Sequence, residues 1–78
     1  GESVNEVGAR ADRVIAKARE LPGTVVLVGH AHQLRITGAR WMGLPAVAGR
    51  HLLLEPTAWC LLTYERETPA IERWNIAT

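Results

Sequence analysis

The run Thr24-Val25-Val26-Leu27-Val28-Gly29-His30-Ala31-His32 decides how the rest of the chain is read. Four of the five residues from Val25 to Gly29 are valine or leucine, and the breaker pair Pro22-Gly23 leads into them. Short apolar runs of this kind read as strands buried on both faces. Gln33 to Met42 has helical composition, so His30 falls where a strand ends and a helix begins. In open α/β sheets that edge gathers loops and helix N-termini, and ligands bind there. A helix N-terminus offers unpaired N–H groups and partial positive charge, which suits phosphate or carboxylate.

Upstream of the run, residues 3 to 20 form the clearest helix. Ser3 followed by Glu6 fits a capping box, in which hydroxyl and carboxylate each take the other's amide proton. Val4, Val7, Ala11, Val14, Ile15 and Ala18 recur at three- and four-residue steps and make one apolar face. Glu6, Arg10, Arg13, Lys17 and Arg19 fall largely off that stripe and read as solvated. Gly8 reads as a weak spot in the helix. Downstream, a second helix is expected from Ala31 to Met42, stopped by Gly43-Leu44-Pro45. Ala46 to Arg50 is small and irregular. Leu52 to Glu55 reads as a short strand broken by Pro56, and residues 58 to 65 as a second, β-prone strand. Pro69 marks a turn and Ala70 to Trp74 a last strand. The expected order is α-β-α-β-β-β, an α/β fold.

The 78 residues make at most one small domain, with a marginal core if it stands alone. A hydrophobic share of 47% is too high for disorder. A net charge of +1, with both signs scattered, offers no polybasic surface for nucleic acid or membrane. The single cysteine, Cys60, excludes an internal disulfide and fits a reducing compartment, so the cytoplasm is the expected location. No apolar run approaches the roughly 20 residues needed to span a bilayer.

His30 and His32 are the first candidates for chemistry. His-x-His suits zinc, but no Asp or Cys follows nearby and His51 is the only other histidine, so neither a metal nor a cofactor is expected. A phosphate reading uses the local features together: an imidazole at a strand end, beside open helix N–H groups, can stabilise charge on a transferring phosphoryl group. Glu2 lies just outside the Ser3 cap, free to reach a site. Thr57 presents its hydroxyl to the same pocket if strand 58–65 lies beside the 24–29 run. Arg35 reads as solvated and Arg50-His51 as surface, because that pair precedes a strand rather than following one. Cys60 reads as buried and inert, and Trp41, Trp59 and Trp74 as packing residues.

Several segments occur together in a familiar order: Gly1-Glu2-Ser3, the capped helix with Arg10 and Arg13, the strand end at Gly29-His30-Ala31-His32, Leu34-Arg35, Trp41-Met42-Gly43-Leu44-Pro45, and Leu52-Leu53-Leu54-Glu55-Pro56-Thr57-Ala58. The whole resembles the C-terminal half of the histidine phosphatase superfamily, the phosphoglycerate-mutase-like enzymes, and looks most like bacterial broad-specificity acid phosphatases. The resemblance implies the C-terminal part of a three-layer fold and a phosphohistidine mechanism. In that mechanism a histidine of an Arg-His-Gly motif attacks phosphorus, and a second histidine helps to hold the phosphoryl group. His30 matches the second histidine. The family's usual setting there is Ser-His-Gly, whereas Gly29-His30-Ala31 stands here, and Ala31 keeps the backbone donor. Glu2 matches the glutamate of the Gly-Glu-Ser motif, near the substrate mouth. His32 and Thr57 complete the residues expected to contact substrate.

No Arg-His-Gly occurs in these residues. The expected partners are therefore a phosphomonoester substrate and an N-terminal half of the same domain that carries the nucleophile. The segment alone is expected to be inactive. A mutase of the same chemistry, a non-catalytic module for a phosphorylated ligand or partner protein, and a structural fragment that self-associates into a homo-oligomer are the alternatives.

Overall fold

The computed structural model describes residues 2–78, and Gly1, which opens the Gly-Glu-Ser motif, lies outside the described residues. Helix α1 spans Val4–Arg19. Its capping box forms as expected: the Glu6 N–H donates to Ser3 Oγ at 3.1 Å, and the Ser3 N–H donates to Glu6 Oε1 at 3.2 Å. Lys17 and Arg19 in the last turn complement the dipole. Ser3→Ala is expected to cost about 1 kcal/mol, which lowers the thermal midpoint by about 4–8 °C in a domain of this size. Circular dichroism melting measures it, and an unchanged midpoint would show that the cap carries no weight.

Helix α2 spans Ala31–Trp41, and Gly43, at φ 79°, ends it in the left-handed conformation. The segment expected to be irregular is a 3-10 helix at Ala46–His51. Val7 of α1, Ile36 of α2 and Ala46 of the 3-10 helix form the buried cluster where these three elements meet. Gly8 proves to be a crossing point rather than a weak spot. A Cβ there would lie 2.7 Å from the Ala46 Cβ. Arg35 is not solvated as expected. It is half-buried, and its guanidinium donates to the carbonyls of Gly49 (3.2 Å) and Arg50 (2.9 Å), so it satisfies the end of the 3-10 helix. Asp12 and Arg40 tie α1 to α2 through a two-pronged pair at 2.8 and 3.2 Å. The hydrogen bond to Asp12, and then its charge, raise the Arg40 pKa above its ordinary value.

Strands β1 (Trp59–Glu65) and β2 (Thr68–Ile76) pair antiparallel. Their loop is Arg66-Glu67, with Arg66 at φ 59°, so the turn falls before Pro69 rather than at it. A two-stranded ribbon leaves each strand one unbonded edge, so Pro69 is accommodated near the start of β2, opposite Tyr64. Trp41 fastens the hairpin to the helices. Its indole N–H donates to the carbonyls of Thr63 (3.1 Å) and Ala70 (2.9 Å), and its ring meets Tyr64 edge-to-face at 5.1 Å. Arg19, expected in solvent, stacks its guanidinium 4.8 Å from the Trp41 ring centre.

Two expected strands are absent from any ladder. Leu52 to Glu55 runs beside β2 but bonds to its side chains. Trp74 Nε1 donates to the Leu53 carbonyl at 2.6 Å, and the Glu55 N–H donates to Asn75 Oδ1 at 2.8 Å. Those side chains take main-chain groups that a ladder would have used. The run from Val25 to Gly29 has no main-chain hydrogen-bond partner among the described residues, and it is not buried on both faces. Val26 and Val28 are 79% and 93% exposed, whereas Val25 and Leu27 lean toward α1. The period-2 alternation of a strand is present in the exposures, but among the described residues no adjacent strand stands at either edge. The result is a mixed α/β fold in the order α1, α2, 3-10 helix, β1, β2.

Candidate functional site

His30 caps α2. Its backbone is extended (φ −79°, ψ 150°), as an N-cap requires, but its imidazole makes no capping bond and is exposed. The first helical bond runs from the Leu34 N–H to the His30 carbonyl at 3.0 Å. The N–H groups of Ala31, His32 and Gln33 therefore have no main-chain partner among the described residues. No acidic residue stands in the first turn of α2, whereas α1 has Glu6 there. The positive end of the α2 dipole is thus uncompensated, and it suits an anion. Sequence and structure agree on this point: the chain turns from extended to helical at His30.

The other expected residues are placed differently from one another. Ala31 is half-buried in the first turn of α2 and offers its N–H there. His32 lines a cleft of about 280 Å³ with Val4, Arg35, Gly49 and Arg50 among others, on the side of α2 that faces the 3-10 helix. Glu2, expected from the sequence to be free to reach a site, is paired. Its carboxylate pairs with Arg10 at 2.8 Å. Arg10 also borders a second cleft, of about 350 Å³, with Gly29 and Gln33, so the ion pair stands beside the end of the apolar run. Arg10 is the residue that sequence reasoning assigned to solvent. Helical periodicity could not reveal its partner, because Glu2 lies before the helix begins.

Thr57 occupies the exposed turn Glu55-Pro56-Thr57-Ala58, closed by the Ala58 N–H donating to the Glu55 carbonyl at 3.3 Å. The pairing that would bring it beside the 24–29 run is absent, since β1 pairs with β2. Pro56 and Thr57 take the two central positions of the turn, and Thr57 has φ 64°, a value that favours glycine. A β-branched residue there costs about 1–2 kcal/mol, against about 0.5–1 kcal/mol for the extra chain entropy of glycine. Thr57→Gly is therefore expected to raise the thermal midpoint by a few degrees; a fall would mean that the hydroxyl or methyl makes a compensating contact.

Among the described residues no group of three His, Cys, Asp or Glu side chains is placed to hold a metal ion. Among the described residues no helix is long and apolar enough to cross a membrane. Cys60, expected to be buried, is half-buried, and its sulfur accepts from the Asn75 N–H at 3.4 Å.

The chain is thus an α/β fold with an uncompensated helix terminus at the end of an apolar run. Residues 1–77 match the histidine phosphatase superfamily (branch 1), and the chain belongs to that family. Its backbone is similar, with a TM-score of 0.92 and 28% sequence identity, to the solved structure of the open reading frame Rv3214 product from Mycobacterium tuberculosis. The match covers 99% of this chain and 41% of that one. Among curated proteins none matches.

Proposed function

We propose that this chain forms the C-terminal part of a phosphomonoester phosphatase and that His30 is its second pocket histidine. The observation that carries the reading is the unengaged His30 imidazole beside the open N–H groups of Ala31 to Gln33, on a helix whose first turn has no carboxylate. Membership of the histidine phosphatase superfamily supports it. The nucleophile is a histidine outside residues 1–78, in an Arg-His-Gly motif. Its ring nitrogen attacks phosphorus as the P–O bond to the substrate breaks, the departing alkoxide takes a proton from an acid residue that is also outside residues 1–78, and a phosphohistidine remains. Water then attacks that phosphorus, releasing inorganic phosphate and the free imidazole. Through both transfers His30 donates a hydrogen bond to a non-bridging oxygen, and the Ala31 N–H donates to another. Charge spread over these oxygens is what such donors stabilise. Glu2, through its pair with Arg10, and His32 are assigned to contacts with the substrate; Thr57 is not, because the strand pairing that would bring its hydroxyl to the same pocket is absent. Neither a cofactor nor a metal is required, and the cytoplasm is the proposed location.

Acid quenching of the assembled enzyme during turnover of a radiolabelled phosphomonoester tests this reading. Label is expected on a histidine outside this chain and none on His30. Label on His30 would make it the nucleophile and overturn the assignment. The 78-residue chain alone is expected to hydrolyse p-nitrophenyl phosphate no faster than buffer, and clear turnover by it would be fatal to the same reading.

A further inference from the structure

The cleft of about 280 Å³ between the start of α2 and the 3-10 helix combines apolar walls with a one-signed set of polar side chains. Ile36, Val4 and Val47 supply the aliphatic surface, and the polar side chains are His32, Arg35 and Arg50, with no Asp or Glu among the lining residues. We infer that this cleft receives the organic part of the substrate, and that this part is an apolar ring carrying a carboxylate at its far end. The inference rests on the phosphatase reading and names the substrate class for the same site.

Position is the first argument. His32 lines the cleft and also carries one of the three open N–H groups of α2, so the cleft begins where the phosphoryl group is held. A rise of about 1.5 Å per residue sets Arg35 roughly 7.5 Å along α2 from His30. A phosphoryl group at His30 and a carboxylate beside Arg35 and Arg50 are therefore about a ring's length apart. Arg35 Nη2 donates to the Arg50 carbonyl at 2.9 Å, which brings residue 50 to this side of α2. The Arg50 guanidinium itself makes no hydrogen bond or ion pair among the described residues. A guanidinium keeps its charge, and its planar fork matches a carboxylate.

The chemistry of the lining is the second argument. A cavity of about 150 Å³ already holds benzene, so this one has room for a substituted ring. The hydroxyls of a sugar would meet aliphatic walls and lose water without gaining partners. An ammonium group would meet Arg35 and Arg50 with no acid to offset them, which is how a site rejects a wrong charge. An apolar ring with an acidic end satisfies both surfaces.

The test compares 4-carboxyphenyl, phenyl and 4-(aminomethyl)phenyl phosphate as substrates of the assembled protein. The carboxylated ester is expected to have the highest kcat/KM, by about tenfold over phenyl phosphate, the low end for hydrogen bonds to a charged group. Arg50→Glu is expected to invert the order in favour of the aminomethyl ester. It leaves in place the Arg50 carbonyl that Arg35 binds. Val47→Asp, at a wall position 52% exposed, lowers the same preference with Arg50 intact and serves where the first variant does not fold. Equal kcat/KM for the three esters overturns the inference and leaves the phosphatase reading standing, and so does a preference that survives both substitutions. If no ester is hydrolysed, titration with 4-hydroxybenzoate followed by NMR decides. Shifts of the Val47 methyl and His32 ring signals that Arg50→Glu or Val47→Asp removes uphold the cleft and defeat only the phosphatase reading. Absence of those shifts overturns the inference.

Discussion

On the proposed phosphatase reading, His30→Ala in the assembled protein is expected to lower kcat by about 100- to 1,000-fold, the usual loss when one oriented donor to a developing oxyanion is removed. The prediction separates charge stabilisation from simple binding. A donor that matters mainly in the transition state lowers kcat and kcat/KM together, whereas one that holds substrate and transition state equally raises KM alone. The structure makes the substitution clean. The His30 side chain is exposed and makes no capping bond, so its loss removes no packing and no cap. The thermal midpoint should stay within the small range of ordinary surface substitutions. Steady-state kinetics with p-nitrophenyl phosphate, alongside thermal melting, reads both quantities. Unchanged kcat in a folded variant would remove His30 from the mechanism and favour a module that only binds a phosphorylated ligand.

Gly38→Ala is expected to destabilise the fold by about 1–3 kcal/mol, the usual cost of overpacking a fitted site. Two effects oppose each other. Alanine favours the helix interior by about 1 kcal/mol over glycine, which by itself would stabilise α2. Against that, a Cβ at this position would lie 2.7 and 2.8 Å from atoms of the Trp74 ring and 3.2 Å from Leu52 Cδ1. The indole cannot swing away cheaply, because its N–H is held by the Leu53 carbonyl at 2.6 Å. Displacing it would also give up that hydrogen bond, worth about 1 kcal/mol. The steric term wins, and the midpoint should fall by about 4–8 °C per kcal/mol. Differential scanning calorimetry is the measurement. A midpoint that rises would mean that helix propensity dominates and that the packing of α2 on β2 is loose.

These two glycines and the arginines show where sequence reading stops. Gly8 and Gly38 count against a helix by propensity, yet both lie inside one. Propensity is local, whereas the reason for glycine at each position is a neighbour distant in sequence: Ala46 in one case, Trp74 in the other. Arg35, Arg10 and Arg19 fall on solvent positions of a helical wheel. Their long side chains nonetheless reach the Gly49 carbonyl, the Glu2 carboxylate and the Trp41 ring, which no periodicity registers. The expected strand at Leu52 to Glu55 failed for a related reason. Its composition is right for β structure, but Trp74 and Asn75 bond its main chain with side chains.

By itself the sequence determined the two main helices and their ends, because capping and amphipathic periodicity are set by residues three or four apart. It determined the β character of residues 58 to 65, and it placed His30 at the start of α2, where helical composition takes over from the apolar run. Only the tertiary structure decided that Glu2 is bound to Arg10, that Thr57 sits in a left-handed turn before a strand that pairs with β2 rather than with the apolar run, and that the run itself has no main-chain partner among the described residues. The physical reason is that a strand, unlike a helix, completes its hydrogen bonds with other segments. Val25 to Gly29 carry every local signal of a central strand, but whether such a strand is buried depends on residues that are not its own.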